Sequence, residues 1–319
     1  MRNHPKVLVT GANGFLGQEI VTLFQKDYHV IASSRHGSSF LTSAVDYVSA
    51  DLVKDQISDI FPDNIDVLVH AAGVMPGSAF NVTQNVTMTQ RIIDWAIKAE
   101  IRSIVLVSSA SVYAPFDGAQ QESFECKPES EYGKSKLDSE KYALDATANL
   151  KVNLIILRMP ALIGPTRQGN VGRLIQALAT NRFLLIGDGA NRKSLLHVKD
   201  AALACLRVVG NLENDYSSKV RKVFNVSAMS PTMADIIDFT CKELNKDKPP
   251  SIPAGWVIFT LKVLCKVTFG ARLFSRPLQL VKQFQQNDVL DATLFQKEVG
   301  IELNYDVRQG LREMVFCNK

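Results

Sequence analysis

Lys6-Val7-Leu8-Val9-Thr10-Gly11-Ala12-Asn13-Gly14-Phe15-Leu16-Gly17 joins an aliphatic run to a glycine-punctuated turn, and then to an amphipathic pattern reaching Lys26. The run is apolar on both faces, as a strand inside a parallel sheet requires. Gly11 suits a tight turn, Gly14 lets backbone approach a pyrophosphate, and Gly17 lets a helix pack close to the strand. The free N–H groups and positive dipole of a helix start favour an anion there. Three glycines alone are a weak signal. Between a strand and a helix, in the first βαβ unit, they imply dinucleotide binding. The expected loop comprises Gly11, Asn13, Gly14, Phe15, Leu16 and Gly17.

The pattern repeats downstream. Val30–Ala32, Val67–His70, Ile104–Val107 and Leu154–Leu157 are further aliphatic runs, separated by helical segments at Gly14–Lys26, Val82–Glu100 and Tyr132–Thr147. This alternation predicts an α/β fold, a doubly wound parallel sheet of the Rossmann type. Residues 1–160 are expected to form the dinucleotide-binding domain. Residues 161–319 are expected to form a smaller, mostly helical substrate-binding portion, with 197–226 returning to the sheet. Gly164–Gly172 and Gly187–Gly189 read as punctuated loops, and 246–250 with Pro253 as a linker or turn.

Composition narrows the class. The 319 residues are 46% apolar and 21% charged, which excludes disordered, collagen-like and coiled-coil proteins. The net charge is only +4 and the basic residues are scattered, so no nucleic-acid partner is expected. Cys126, Cys205, Cys241, Cys265 and Cys317 are odd in number, and no Cys-x-x-Cys pair exists. Neither a metal site nor a disulfide framework is expected, and reduced thiols fit a cytoplasmic protein. A strand pattern begins too early for a signal peptide. Ile252–Phe269 is the most apolar late stretch, but Lys262 and Lys266 interrupt it. It reads as an amphipathic helix packed on the protein rather than a membrane span, with peripheral membrane contact left open.

The second strand ends in Ser33-Ser34-Arg35, without the acidic residue that holds a ribose 2′-OH. Ser34 and Arg35 could instead grip a 2′-phosphate, favouring NADP over NAD. Arg35 could equally stack on adenine or point to solvent. Asp51 and Leu52 would lie near the adenine, although a loop aspartate capping a turn explains Asp51 as well. Tyr132 and Lys136 are four residues apart and share a helix face. A phenol is a poor base at neutral pH, and a nearby ammonium lowers its pKa. The run Val105–Val107 ends in Ser108 and Ser109, at the strand edge where open α/β sheets bind ligands.

These segments together resemble the extended short-chain dehydrogenase/reductases, in particular the NAD-dependent epimerase/dehydratase family. The resemblance includes His70-Ala71-Ala72-Gly73, Asn85-Val86, Ser108–Tyr113, Tyr132–Lys136, Leu157–Pro160 and His197–Asp200, and covers about 6–226 in order. It implies that Ser109 holds a substrate oxygen, that Tyr132 is the general acid/base, and that Lys136 binds the nicotinamide ribose and tunes Tyr132. Ala71, Ala72 and Gly73 would line the cofactor through backbone, with Met159 beside it. His70 reads as a packed histidine and His197 as a positioning residue. A homodimer through the helices at 82–100 and 132–148 is also implied.

Within that family, dehydratases place Asp-Glu after the catalytic hydroxyl, where this chain has Ala110-Ser111. Enzymes that epimerise at carbons 3 and 5 have a cysteine at the position of Ser111. A UDP-hexose 4-epimerase or a 4-keto-hexose reductase remains, resembling enzymes of bacterial surface-polysaccharide synthesis. The substrate would be a UDP-sugar contacted by Ser111, Asn170, Arg173, Arg192 and Lys193. Met159-Pro160-Ala161 replaces the Tyr-Phe-Asn of UDP-galactose 4-epimerases, and Lys282 only approximates an arginine expected before Asp291. A bulky apolar alcohol or ketone is therefore an alternative substrate, and a non-catalytic dinucleotide sensor a third reading.

Overall fold

The aliphatic runs form neighbouring strands of one sheet. The computed structural model describes residues 5–37, 45–214, 219–267, 278, 281 and 284–317. Its sheet contains β1 (Lys6–Thr10), β2 (His29–Ser34), β3 (Asp46–Ser49), β4 (Val67–His70), β5 (Ser103–Ser109), β6 (Asn153–Met159) and β7 (Arg221–Asn225). Their spatial order is β7-β6-β5-β4-β1-β2-β3, and every pair is parallel. The order reverses at β1, so the carboxyl ends of β1 and β4 flank the crevice where such sheets bind ligands.

Helices cover both faces, as the two-sided apolar strands demand. On β1, Val7 and Val9 point to one face and Leu8 to the other. The first face packs against α1 (Phe15–Phe24) and α5 (Val198–Asn214), with Ile20, Phe24 and Val208 in its core. The second packs against α2 (Gln84–Lys98), through Ile92 and Ile93, and α3 (Glu131–Ala146), through Ala143. Each such fully buried aliphatic side chain is worth about 1.5–3 kcal/mol.

A smaller cluster lies beyond. α4 (Gly169–Ala179), α6 (Met233–Glu243) and α9 (Val307–Phe316) meet through Ile175, Ile236, Leu311 and Met314. The glycines at 169 and 172 lie inside α4 rather than in a loop, because Leu174, Ile175 and Leu178 supply a helical apolar stripe. Short parallel pairs tie this region together: Leu195–His197 with Ala161–Ile163, and Ser251–Ile252 with Leu185–Ile186. Val289–Leu290 also pairs with Ala119–Gln120, and α8 (Thr293–Val299) follows it.

The apolar stretch after 252 forms α7 (Ala254–Val267), but its outward face differs from expectation. Ala254, Val257, Ile258 and Leu261 are half-buried, while Trp256 and Phe259 are 74% and 68% exposed. Lys282 and the last two residues of the 252–269 stretch lie outside the described residues. No helix among the described residues is long and apolar enough to cross a membrane.

Candidate active site

The glycine loop closes against the start of the crevice. Gly11 sits at φ +74°, and a Cβ there would come within 2.6 Å of the Ala72 backbone. A Cβ on Gly17 would come within 2.1 Å of the Gly11 carbonyl. α1 begins at Gly14 with no side chain capping it, so its first amides point at the crevice unpaired by a side chain. Asn13 donates to the His36 carbonyl at 2.6 Å and to that of Gly37 at 3.2 Å, while its buried Oδ1 lacks a partner among the described residues. The backbone cradle and open helix start fit a dinucleotide phosphate, and the orphaned Asn13 Oδ1 suits a donor such as a ribose hydroxyl.

The resulting cavity, of about 260 Å³, is lined by Gly11, Asn13, Gly14, Ser34, Arg35, Leu52, Ala71, Ala72 and Gly73. Thr10, His36, Ala50, Val74 and Met88 complete the lining, together with Ser33. The sequence reading missed these because strand ends, loops and helices carry no periodic signal of which wall they reach. Besides Tyr132 and Lys136, five residues expected at the cofactor lie outside this lining. Leu16 and Met159 are buried in the core, and Gly17 serves the strand–helix contact. The Phe15 ring abuts Gly164. The Asp51 carboxylate accepts the Val53 amide at 2.9 Å, so it caps its own turn.

Arg35 lies across the mouth of this cavity. Its guanidinium stacks 3.7 Å from the centroid of Phe80, which belongs to the loop after β4. Ser34 Oγ is already engaged, donating to the His36 carbonyl at 2.8 Å and paired with the Tyr47 hydroxyl at 2.8 Å.

At the carboxyl end of β5, Ser109 stands near enough to Tyr132 to pull its phenol pKa down. The approach depends on Gly133. Ser130 caps α3 by accepting the Gly133 amide at 3.0 Å. A Cβ on Gly133 would lie 2.1 Å from the Ser111 carbonyl, so only glycine lets α3 come this close. Ser109 Oγ also donates to Ser111 Oγ at 3.2 Å.

The phenol pKa moves opposite to expectation. Burial pushes Tyr132 up, and Ser109 offsets this only in part. Lys136 Nζ donates to the Val107 carbonyl at 2.7 Å. Burial lowers Lys136 to about 8, with Glu140 pulling it back up. Glu140, one turn further along α3, accepts from Arg158 and Ser108. The spacing 132, 136, 140 was a readable signal for Glu140 that the Tyr-x-x-x-Lys motif overshadowed.

His70 is buried, bonded through Nδ1 to Thr10 Oγ1 at 2.7 Å and through Nε2 to Thr89 Oγ1 at 3.2 Å. Burial and the Lys136 charge hold it down to about 3, so it stays neutral. His197 is also buried, bonds Glu313 at 3.0 Å and stacks on Tyr305, which anchors α9. Asn85 links three pieces of the site: it accepts the Val74 amide at 2.7 Å and donates to Ser135 Oγ at 3.1 Å.

The expected substrate residues are less gathered. Asn170 and Arg173 bond each other on the exposed side of α4. Asn191 donates to the Phe284 carbonyl at 2.9 Å, and Arg192 N–H donates to Asn287 Oδ1 at 2.7 Å. Asp188, Asn191, Gln285 and Asn287 help line a second, open cavity of about 350 Å³. Arg192 is exposed; burial lowers the pKa of half-buried Lys193, with Asp288 opposing.

The model of the NAD dependent epimerase/dehydratase family matches residues 7–227. This chain belongs to that family. Among its relatives, the N-acetyl-alpha-D-glucosaminyl-diphospho-ditrans,octacis-undecaprenol 4-epimerase of Escherichia coli O157:H7 is 26% identical, over 96% of this chain and 92% of its own length. The fold is similar to that of MoeE5 in complex with UDP-glucuronic acid and NAD, with a TM-score of 0.74, 23% identity and 97% of each chain covered. It is similar as well to a UDP-glucuronic acid 4-epimerase from Bacillus cereus in complex with NAD, with a TM-score of 0.75, 19% identity and 98% of each chain covered. As a family member the chain carries an NAD-dependent epimerase/dehydratase type of Rossmann domain.

Proposed function

We propose that the chain is an NAD(P)-dependent oxidoreductase of a diphosphate-linked sugar, acting at a carbinol or ketone by 4-epimerisation or 4-keto reduction. The placement of Ser109 near Tyr132, beside the glycine cradle, carries this reading. Relatives of the sugar-diphosphate class, nucleotide- or polyprenyl-linked, support the substrate class. The bound nicotinamide cofactor supplies hydride transfer at the sugar carbon. Gly11, Gly14 and the α1 amides would hold its pyrophosphate, and Arg35 a 2′-phosphate, which favours NADP. Ser109 orients the sugar oxygen, and Tyr132 donates a proton to it or removes one. Ala110-Ser111, in place of an acid–base pair, leaves no group for eliminating water. In this reading the protein is cytoplasmic, serves surface-polysaccharide precursor synthesis, and pairs with a second copy through α2 and α3.

Denaturing the purified protein and identifying any released nucleotide separates the two activities. Retained NAD regenerated each cycle marks an epimerase, whereas stoichiometric NADPH consumption with a 4-keto sugar marks a reductase. Failure of both on UDP-, dTDP-, GDP- and polyprenyl-diphospho-sugars would overturn the substrate class.

A further inference from the structure

α7 turns its largest apolar side chains away from the protein. Trp256 and Phe259 are three residues apart and therefore neighbours on the helix surface, at 74% and 68% exposed. Exposed Ile252 stands just before the helix. The half-buried side, Ala254, Val257, Ile258 and Leu261, is built of smaller or aliphatic residues. An ordinary surface helix has the opposite arrangement.

Lys262 is exposed on the same helix, Lys248 before it is paired with Asp238 at 2.5 Å, and the stretch of sequence around them carries one sign of charge. From 248 to 287 the sequence holds six cations, Lys248, Lys262, Lys266, Arg272, Arg276 and Lys282, and no Asp or Glu. The chain outside that segment has 30 Lys+Arg and 32 Asp+Glu (36 − 6 and 32 − 0), so the whole positive excess comes from these 40 residues. Outward aromatics beside cations are the composition of a helix lying in a membrane interface. An anionic leaflet attracts such a cluster, whereas an ordinary mixed-charge protein surface does not. At 14 residues, α7 is about 21 Å long, too short to span a bilayer but suited to lying flat on one.

The face is also joined to the second cavity. The Ser251–Ile252 strand that launches α7 pairs with Leu185–Ile186, and Ile186 opens the cavity lined by Asp188 and Asn191.

We propose that the α7 face docks this protein on an anionic lipid bilayer, placing the 186–191 cavity at the membrane surface. Trp256 and Phe259 enter the headgroup–acyl boundary, and exposed Lys262 lies beside the lipid phosphates. Docking rests on this face alone and not on the substrate reading. A diphospho-sugar carried on a lipid would meet the cavity directly.

Sedimentation of the full chain with vesicles tests this. Binding is expected to phosphatidylcholine vesicles containing phosphatidylglycerol, weakened by salt, and to be far weaker with phosphatidylcholine alone. Brominated lipid should quench Trp256 selectively, because the other tryptophan, Trp95, is buried. Trp256→Ser with Phe259→Ser should lower partitioning about tenfold or more. Lys262→Glu, an exposed change without folding risk, should lower it as well. NADPH binding should be unchanged in both variants. Absence of vesicle binding, or equal binding by wild type and variants, overturns the proposal. So does a dimer that the double variant dissolves without any vesicle binding, which would assign the face to a second copy. The vesicles carry no substrate, so neither result bears on the sugar reading.

Discussion

Arg158 grips Glu140 through two nitrogens, with Nη2 to Oε2 at 2.7 Å and Nε to Oε1 at 3.1 Å, both side chains almost wholly buried. The pair links β6 to α3 beneath Lys136, and Arg158 Nη1 also donates to the Tyr113 hydroxyl at 2.7 Å. Breaking one side of such a pair strands the other charge and costs about 3–5 kcal/mol. Glu140→Gln should therefore lower stability by an amount of that order in urea unfolding. It should also remove the carboxylate that raises Lys136, moving the lysine below about 8. The alkaline limb of cofactor binding should shift to lower pH. An unmoved limb would assign Glu140 to packing alone.

Tyr132 is the proton carrier at the substrate oxygen in the proposed chemistry, with Ser109 near enough to lower its pKa. General acid–base catalysis contributes about 10²–10⁴-fold. Tyr132→Phe should lose a factor in that range from kcat while keeping its fold and NADPH affinity. Ser109→Ala should raise the Tyr132 pKa further, since Ser109 is what lowers it. Unchanged turnover in Tyr132→Phe would remove the tyrosine from the mechanism.

Much of this was legible because the sheet interior speaks twice, once as aliphatic runs and once as turn glycines. Val7–Val9 and Gly11 both specify backbone, and backbone forms the cradle. Side-chain direction is another matter. Asp51 and Met159 stood at the right places along the chain, yet one caps a turn and the other joins the core. Glu140 was hidden for a different reason: a buried carboxylate looks like any helix surface residue until Arg158 is seen across from it. α7 shows the limit most clearly, since apolar content predicts burial and Trp256 is exposed.

His70 gives a pH dependence whose sign is fixed. Its folded pKa, lowered to about 3, lies below the usual 6.5. Between those values the unfolded chain binds a proton that the native chain refuses, so stability falls as pH falls from about 6.5 toward 3. At pH 5 this amounts to about 2 kcal/mol. His70→Gln should lose less stability than wild type, by about that amount, when urea unfolding at pH 7 is compared with pH 5. An identical loss in both proteins would place the acid sensitivity elsewhere.

Gly133→Ala sets helix propensity against packing. Alanine favours the helix by about 1 kcal/mol. Its Cβ, however, would sit 2.1 Å from the Ser111 carbonyl, backbone that has little freedom to move. Overpacking of this kind costs about 1–3 kcal/mol. The net expectation is lower stability together with a drop in kcat, as α3 withdraws Tyr132 from Ser109. A more stable variant with full activity would mean that the approach at Gly133 is not needed.

In the proposed function Arg35 is the residue that selects NADP over NAD. Its stacking on Phe80 is a half-exposed cation–π contact, worth about 0.5–1 kcal/mol. Hydrogen bonds to a charged phosphate are worth about 1.5–3 kcal/mol, so a 2′-phosphate outcompetes the ring or shares the guanidinium with it. Arg35→Ala should thus weaken NADPH binding about 10–100-fold and leave NADH nearly untouched. Phe80→Ala, which frees the guanidinium without removing it, should weaken NADPH far less. Fluorescence titration of both cofactors against both variants reads the difference. Equal losses for NADPH and NADH in Arg35→Ala would mean that Arg35 stacks on the adenine common to both, and the preference for NADP would then have no residue behind it.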